Sequence, residues 1–371
     1  MANVERRDFL KLGVAAAGAA VVFNSRSAKA GYTPASVQRI TAMSPKEMAE
    51  ASGAVMTAWH NLLDHAATIR NPSVRKSVLQ ILDNPAPSFM SRIKTDERKE
   101  IYQELKAKGY INNTNLTDFL PPLHSAFRAP QPFYSAPGSG YQSHHSYPGG
   151  LATHTDLNVR VSMSVADGYL GVYDYLLDKD TVIASQLLHD MQKPWVFQWQ
   201  KDGASRTENK LAGTGEHHVL GVAESIHRGL PAEVCVAQAC AHNHPRTPED
   251  EAKVVGWLTA AAILAGVDPV KHGLLEKGGK TLPLPRRQEG FVCHLGDHDW
   301  VLTVPAAKWT IPLVKHVAAK HYNINETDTA AFNKFRNYIF SQATIMSVYE
   351  IYATKGEDAV VRTINSLVTP S

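Results

Sequence analysis

Apolar residues recur along most of this chain at intervals of three and four, the spacing that lines one face of an α-helix. Residues 45–69 carry the pattern, with Ser44 as an N-cap and Pro45 at the first helical position. Residues 72–82 and 95–108 continue it, and Gly109 ends the second run. Residues 129–150, APQPFYSAPGSGYQSHHSYPGG, hold no period and are rich in Pro, Gly and Ser. They mark the boundary between an N-terminal helical region, 31–135, and a central domain, 136–275. Past that boundary, 151–177 spells a long helix with Leu157, Val161, Val165 and Tyr169 on one face, and 181–190 a short apolar one. Helical runs follow at 217–229, 231–242 and 248–266, the last opening on acids that suit a helix N-terminus. Residues 211–215 read as a loop, 276–308 as a hairpin or loops, and 309–366 as helix again, within a C-terminal region 276–371. Strand signals are few. The expected class is all-α, a helical bundle with additional N- and C-terminal helical segments.

The first thirty residues follow another rule. A charged start, Glu5-Arg6-Arg7-Asp8, leads into the apolar stretch 12–23 and then into Ala28-Lys29-Ala30, a small-x-small cleavage pattern. About a dozen apolar residues fall short of the roughly 20 that span a bilayer, so no stable membrane insertion is expected after cleavage. The adjacent arginines before Phe9-Leu10-Lys11 resemble a twin-arginine export signal. That resemblance implies the twin-arginine translocation machinery as a partner, a periplasmic or otherwise exported location, and passage of a folded, metal-loaded chain. Without residues 1–30 the chain holds 33 basic and 33 acidic residues, so its formal charge falls from +3 to zero. A neutral surface gives no reason to expect nucleic acid as a partner. Cys235, Cys240 and Cys293 are too few and too irregularly spaced for a disulfide framework or a zinc ribbon, and read as buried thiols.

Candidate chemistry sits near the ends of the central helices. His154, the pair His189-Asp190, His217 and His242 stand 25 to 35 residues apart, about one helix and one loop each, and Asp268 closes a later helix. Antiparallel helices of that length bring such residues to one end of a bundle. Imidazole and carboxylate together suit one or two divalent ions of Fe, Mn, Zn or Co. An Asp beside a His can serve two ions at once, and two ions a few ångströms apart polarise an oxygen-rich substrate and acidify water.

The order of these residues, and their flanks SYPGGLATHT, ASQLLHDMQK and GEHHVLGVAE, resemble the HD-domain superfamily of metal-dependent phosphohydrolases. The first flank is similar to the opening of the HD domain in bacterial three-prime-to-five-prime exoribonucleases, where a lysine also follows the His-Asp pair by three, as Lys193 does here. The resemblance covers about 140–270. It implies an HD-like bundle and a metal set of His154, His189, Asp190, His217, His242 and Asp268. His218 competes with His217, and His244 with His242.

The remaining residues divide by position. Asp190 and Lys193 are the expected catalytic groups, Lys193 offering a cation to a substrate phosphate. Arg246 and His145 are expected as further substrate contacts; for His144 and His145, upstream in the loop, a place behind the metal ligands is the alternative. Trp195, Phe197 and Trp199 read either as core or as an aromatic wall for a flat group. Asp297-His298-Asp299 lies outside the resemblance and reads as a surface turn, with a separate metal site as the alternative. No nucleophile elbow, Walker loop or dinucleotide fingerprint occurs. The leading expectation is an exported enzyme in which metal-activated water attacks a small-molecule phosphate ester. A related branch of the superfamily holds two irons that activate dioxygen, and an inactive ligand-binding HD protein is the third possibility.

Overall fold

A computed structural model describes residues 34–284 and 288–370. The leader expected over 1–30 lies outside them. Side chains that satisfy the orphan amides of a first turn fix where the N-terminal helices begin. Ser36 caps α1 (Val37–Ala42), a Ser44–Glu47 capping box opens α2 (Pro45–Glu50), Ser52 caps α3 (Gly53–Ala67), and Asn71 caps α4 (Pro72–Asp83). The single helix expected over 45–69 is therefore two: the Ser52 hydroxyl accepts the Val55 amide at 3.1 Å and starts a new helix. α5 (Thr95–Ala107) ends just before Gly109, whose φ of 76° is left-handed.

The central helices are α6 (Gly150–Tyr173), α7 (Lys179–Leu188), the single turn α8 (Lys193–Val196), α9 (Glu216–His227), α10 (Ala232–Ala239) and α11 (Pro248–Ala265). After them come α12 (Gln288–Gly296), α13 (Trp300–Tyr322), α14 (Thr329–Ala343), α15 (Ile345–Lys355) and α16 (Glu357–Leu367). The class is all-α. Among the described residues, strands are confined to two pairs of two residues each. β1 (Ala35–Ser36) runs parallel to β4 (Val368–Thr369), and β2 (Lys210–Leu211) antiparallel to β3 (Thr214–Gly215). The loop expected at 211–215 is thus a tight hairpin, turned by Ala212 and Gly213 at positive φ. The hairpin or loops expected over 276–308 give way from Gln288 to α12 and the start of α13.

α7 is buried from Thr181 to Leu188 and packs against α3, α4, α6, α10 and α12, so it is the axis of the bundle. Each Val, Ile or Leu it buries contributes roughly 1.5–3 kcal/mol of burial free energy. One apolar core runs from Ala49 through Phe133, Ala136 and Leu151 to Leu282, crossing the 135/136 boundary without a break. A second core joins Ile40 and Met48 to Tyr322, Phe335 and Ile364 of the C-terminal helices. The entry to α6 is set by backbone space. Gly149 takes φ 89°, and a Cβ there would lie 2.4 Å from the Val55 side chain; a Cβ on Gly150 would lie 2.0 Å from the His145 carbonyl. Only the Gly-Gly pair brings α6 this close to α3 and to the 138–147 loop, and that approach places His154.

Candidate metal centre

Five of the six residues expected as ligands meet at one end of the bundle. His154 comes from the second turn of α6, His189 and Asp190 from the C-terminal end of α7, His217 from the first turn of α9, and His242 from just beyond α10. Their donor atoms, with those of Asp297, form two adjoining groups: His154, His189 and Asp297, and Asp190, His217 and His242. In the first group, His154 Nε2 and His189 Nε2 stand 3.4 Å apart. Asp297 Oδ1 lies 3.1 Å from the former and 3.3 Å from the latter. In the second, Asp190 Oδ1 is 3.3 Å from His217 Nε2 and 4.0 Å from His242 Nε2.

The two carboxylates join the groups. Asp190 Oδ2 turns toward His154 and His189, at 3.2 and 3.1 Å, while its Oδ1 faces the second pair. Asp297 reverses the order, with Oδ1 on the first pair and Oδ2 3.7 Å from His242 Nε2. Each therefore offers one oxygen to each group, the arrangement that bridges two cations.

The outer nitrogens are tied down. His189 Nδ1 sits 2.7 Å from the Gln186 carbonyl, which only accepts, so that nitrogen carries a proton. His217 Nδ1 is 2.6 Å from Glu208 Oε2, and His154 Nδ1 is 3.2 Å from Asp299 Oδ2. His242 Nδ1 is 3.4 Å from the Thr214 hydroxyl. All four rings thus turn Nε2 inward, as ligating histidines do when a carboxylate or carbonyl holds the other nitrogen. Asp190 Oδ1 and His217 Nε2 are buried without an aligned hydrogen bond. Buried polar atoms that face one another unsatisfied are costly unless a further group lies between them. The residues fit divalent ions, and the mixed N and O donors suit Fe, Mn, Zn or Co.

Electrostatics agree with that fit. Burial works against an imidazolium at His189, but Asp190 and Asp297 outweigh it and push its pKa up to about 9. Burial is likewise overcome at His217 by Glu208 and Asp190, again to about 9. Asp190 and Asp297 are held well below the usual carboxylate range, their burial outweighed by the neighbouring histidines and, at Asp190, by Lys193. Without cations the cluster holds protons in their stead.

Several expectations need correction. Asp268 is exposed at the end of α11, where its Oδ1 accepts the amides of Val270 and Lys271 at 2.9 and 3.0 Å; it takes no part in the cluster. Asp297, from the segment expected to be a surface turn, stands in its place because α12 folds back along α6. A Cβ on Gly296 would lie 2.0 Å from Ser162 Oγ, and Asn158 of α6 donates to Asp297 Oδ1 at 2.9 Å. The Asp299 side chain is also nearly covered, accepting from His145 Nε2 at 2.7 Å as well as facing His154. Of its two expected roles, His145 takes the one behind the ligands, backing Asp299, and not the substrate contact. Arg246 is exposed and paired with Asp250 at 3.8 Å, away from the cavity. His218 turns Nε2 to the Ala239 carbonyl at 3.0 Å and stacks on His242, and His244 packs against His294 and Phe291. His217 and His242 are the members that face the cluster.

A cavity of about 480 Å³ opens over the cluster, and its lining includes Lys193, Phe197, Glu208, His144, His298 and Trp300. Lys193 Nζ lies 2.5 Å from Asp190 Oδ2 and donates to the Gly138 carbonyl. Trp195 is wholly buried and Trp199 turns its indole N–H to the Ser135 carbonyl, so of the three aromatics after Lys193 only Phe197 reaches the cavity. Glu208, Asn158 and Trp300 are site residues with no motif of their own in the sequence, and His298 belongs to the Asp297-His298-Asp299 segment read there as a surface turn.

Over 121 residues the chain is 33% identical to the curated dihydroneopterin 2',3'-cyclic phosphate phosphodiesterase of Methanocaldococcus jannaschii. That stretch is 32% of this chain and 48% of the relative, so the chain spans about half the length of the curated protein it matches. No protein-family model matches the chain, and no solved structure matches it.

Proposed function

We propose that this chain is an exported, HD-type metal-dependent phosphohydrolase that opens a small phosphodiester. One observation carries the reading: four Nε2 atoms from four helical segments converge on two carboxylates, each of which gives one oxygen to either group of imidazoles. The phosphodiesterase name of the relative supports the choice of reaction, and the twin-arginine-like pattern in the sequence of residues 1–30 supports export.

His154 and His189 would hold one ion and His217 and His242 the other, with Asp190 and, more loosely, Asp297 offering an oxygen to each. Ions bound there supply Lewis acidity toward a phosphoryl oxygen and acidify water. The protein's own contributions follow from its geometry. Asp190 and Asp297 fix the spacing of the two groups, and Asp299 and Glu208 keep His154 and His217 in the Nδ1–H form. Lys193, held by Asp190 and Gly138 at the cavity wall, brings a positive charge beside the phosphate. Phe197 and Trp300 give the cavity apolar walls for the organic part of the ester.

The test is hydrolysis of bis(p-nitrophenyl) phosphate and of nucleoside 2',3'-cyclic phosphates by protein reloaded with Mn, Fe, Zn or Co. Release that requires a divalent ion, consumes no oxygen and disappears in Asp190→Asn supports the proposal. Oxygen uptake dependent on ferrous iron, or no turnover of any ester with both groups filled, overturns it.

A further inference from the structure

Beside the two groups of donors lies a third that the cluster does not use. One donor atom each from His144, His145 and Asp299 lies within 4.8 Å of the other two. The His154 ring divides this trio from the cluster. Its Nε2 faces Asp190 and Asp297, while its Nδ1 stands 3.2 Å from Asp299 Oδ2. The trio adjoins the two groups and shares no residue with them.

Asp299 is short of positive charge. Its side chain is only 5% exposed, and among the described residues its ion-pair partners are His145 and His154, with no Lys or Arg. Oδ2 accepts from both rings, at 2.7 and 3.2 Å, but Oδ1 is buried without a hydrogen-bond partner. A buried carboxylate oxygen with neither a proton donor nor a counter-charge is costly. The loop 138–147 meanwhile brings lone pairs to the same place. Ser143 Oγ lies 2.8 Å from His144 Nδ1, which leaves Nε2 as the open nitrogen of a ring that lines the cavity. Tyr147 Oη lies 3.4 Å from His145 Nδ1, so the ring proton has a partner on that side when Nε2 gives it up. Backbone contacts fix the loop: Ser139 Oγ accepts the His145 amide at 3.1 Å, and the Gly138 amide donates to the His145 carbonyl at 2.8 Å.

We infer that His144, His145 and Asp299 hold a further divalent transition-metal ion, beside the two groups and distinct from them. Two imidazoles and a carboxylate are a donor set that such ions accept, with water or a substrate oxygen from the cavity completing it. An ion there displaces the proton that His145 Nε2 gives to Asp299 and takes up the orphan Oδ1. Oδ2 stays on His154 Nδ1, so the neighbouring group keeps its support. This position should fill last, because it has one carboxylate where the other two share a pair. The inference rests on the reading of the cluster as a metal centre, but it is decided by counting ions and not by turnover.

Equilibrium dialysis of the full chain against Mn(II) or Zn(II), followed by elemental analysis, counts the ions, and anomalous diffraction locates them. His144→Ala and Asp190→Asn are measured beside the native protein, with circular dichroism to check that each stays folded. The native protein is expected to bind three ions per chain, with one anomalous peak between His144, His145 and Asp299. His144→Ala should lose that peak and one equivalent while the other two remain. Asp190→Asn should keep that peak while the other two weaken. Peaks at the first two groups alone, or a third ion retained in His144→Ala, overturn the inference and leave the proposed function standing. A peak at His144 without turnover of any ester supports the inference and overturns that function.

Discussion

Glu208 offers a way to weaken one half of the metal centre and leave the other intact. Its Oε2 accepts the Nδ1 proton of His217 at 2.6 Å, and its carboxylate presses on Gly215, where a Cβ would lie 2.5 Å away. Glu208→Gln keeps the shape and the acceptor but removes the charge. A hydrogen bond to a charged group contributes about 1.5–3 kcal/mol net and a neutral one about 1 kcal/mol. The loss is then about 0.5–2 kcal/mol, or about 2- to 30-fold in affinity for the ion at Asp190, His217 and His242. The ion at His154, His189 and Asp297 should be held almost as before. The same carboxylate also raises the proton affinity of His217, whose pKa of about 9 means that below that pH a cation must displace a proton. Removing Glu208's charge therefore weakens both competitors, and the loss should shrink as pH falls and be largest near pH 9. Calorimetric titration with Mn or Zn, resolved into two binding steps and paired with elemental analysis, reads the outcome. Equal weakening of both steps, or of neither, would refute the assignment of His217 and Glu208 to one ion.

Other outcomes follow from the same geometry. Because His189 and His217 hold protons up to about pH 9 without cations, loading should release protons, and apparent affinity should fall about tenfold per pH unit for each proton displaced below that pH; titration in buffers of different ionisation enthalpy would expose a pH-independent constant. Asp190→Asn should lower the occupancy of both groups and cut ester hydrolysis by at least ~1000-fold, whereas Asp268→Asn should leave metal content unchanged; the reverse result would restore Asp268 to the ligand set. Asp299→Asn should weaken the ion held by His154 by about 10- to 100-fold, while Arg246→Ala leaves KM where it was; equal effects of the two would deny Asp299 its role in positioning His154.

The centre was legible in the sequence where a helix end and a chemical type coincide. His154, His189-Asp190, His217 and His242 each stand at such an end, and the sharp Gly149-Gly150 turn announced the first. Asp268 failed because an aspartate after an apolar helix serves equally well to cap the next turn, and here the amides of Val270 and Lys271 claim it. Asp297 follows a similar local pattern, Cys-His-Leu-Gly-Asp. What separates them is tertiary: the α12–α6 contact brings one aspartate to His154, and no local periodicity reports that contact. The same limit applied to α6. Its four-residue repeat marked an apolar face but carried no information on which neighbour covers it, while the side that packs inward is written in Ser, Thr, Asn and Ala.

The pairing of Ala35–Ser36 with Val368–Thr369 makes the chain a loop fastened by two short strands. Ile40 and Val368 share one core with α13 to α16, so the first described element has its partners only after the last has been made. Synthesis must therefore pass Val368 before this half of the molecule can finish folding. A permuted chain joined across that clasp, with new ends between residues 276 and 280, would reverse the dependence and let the closure form early.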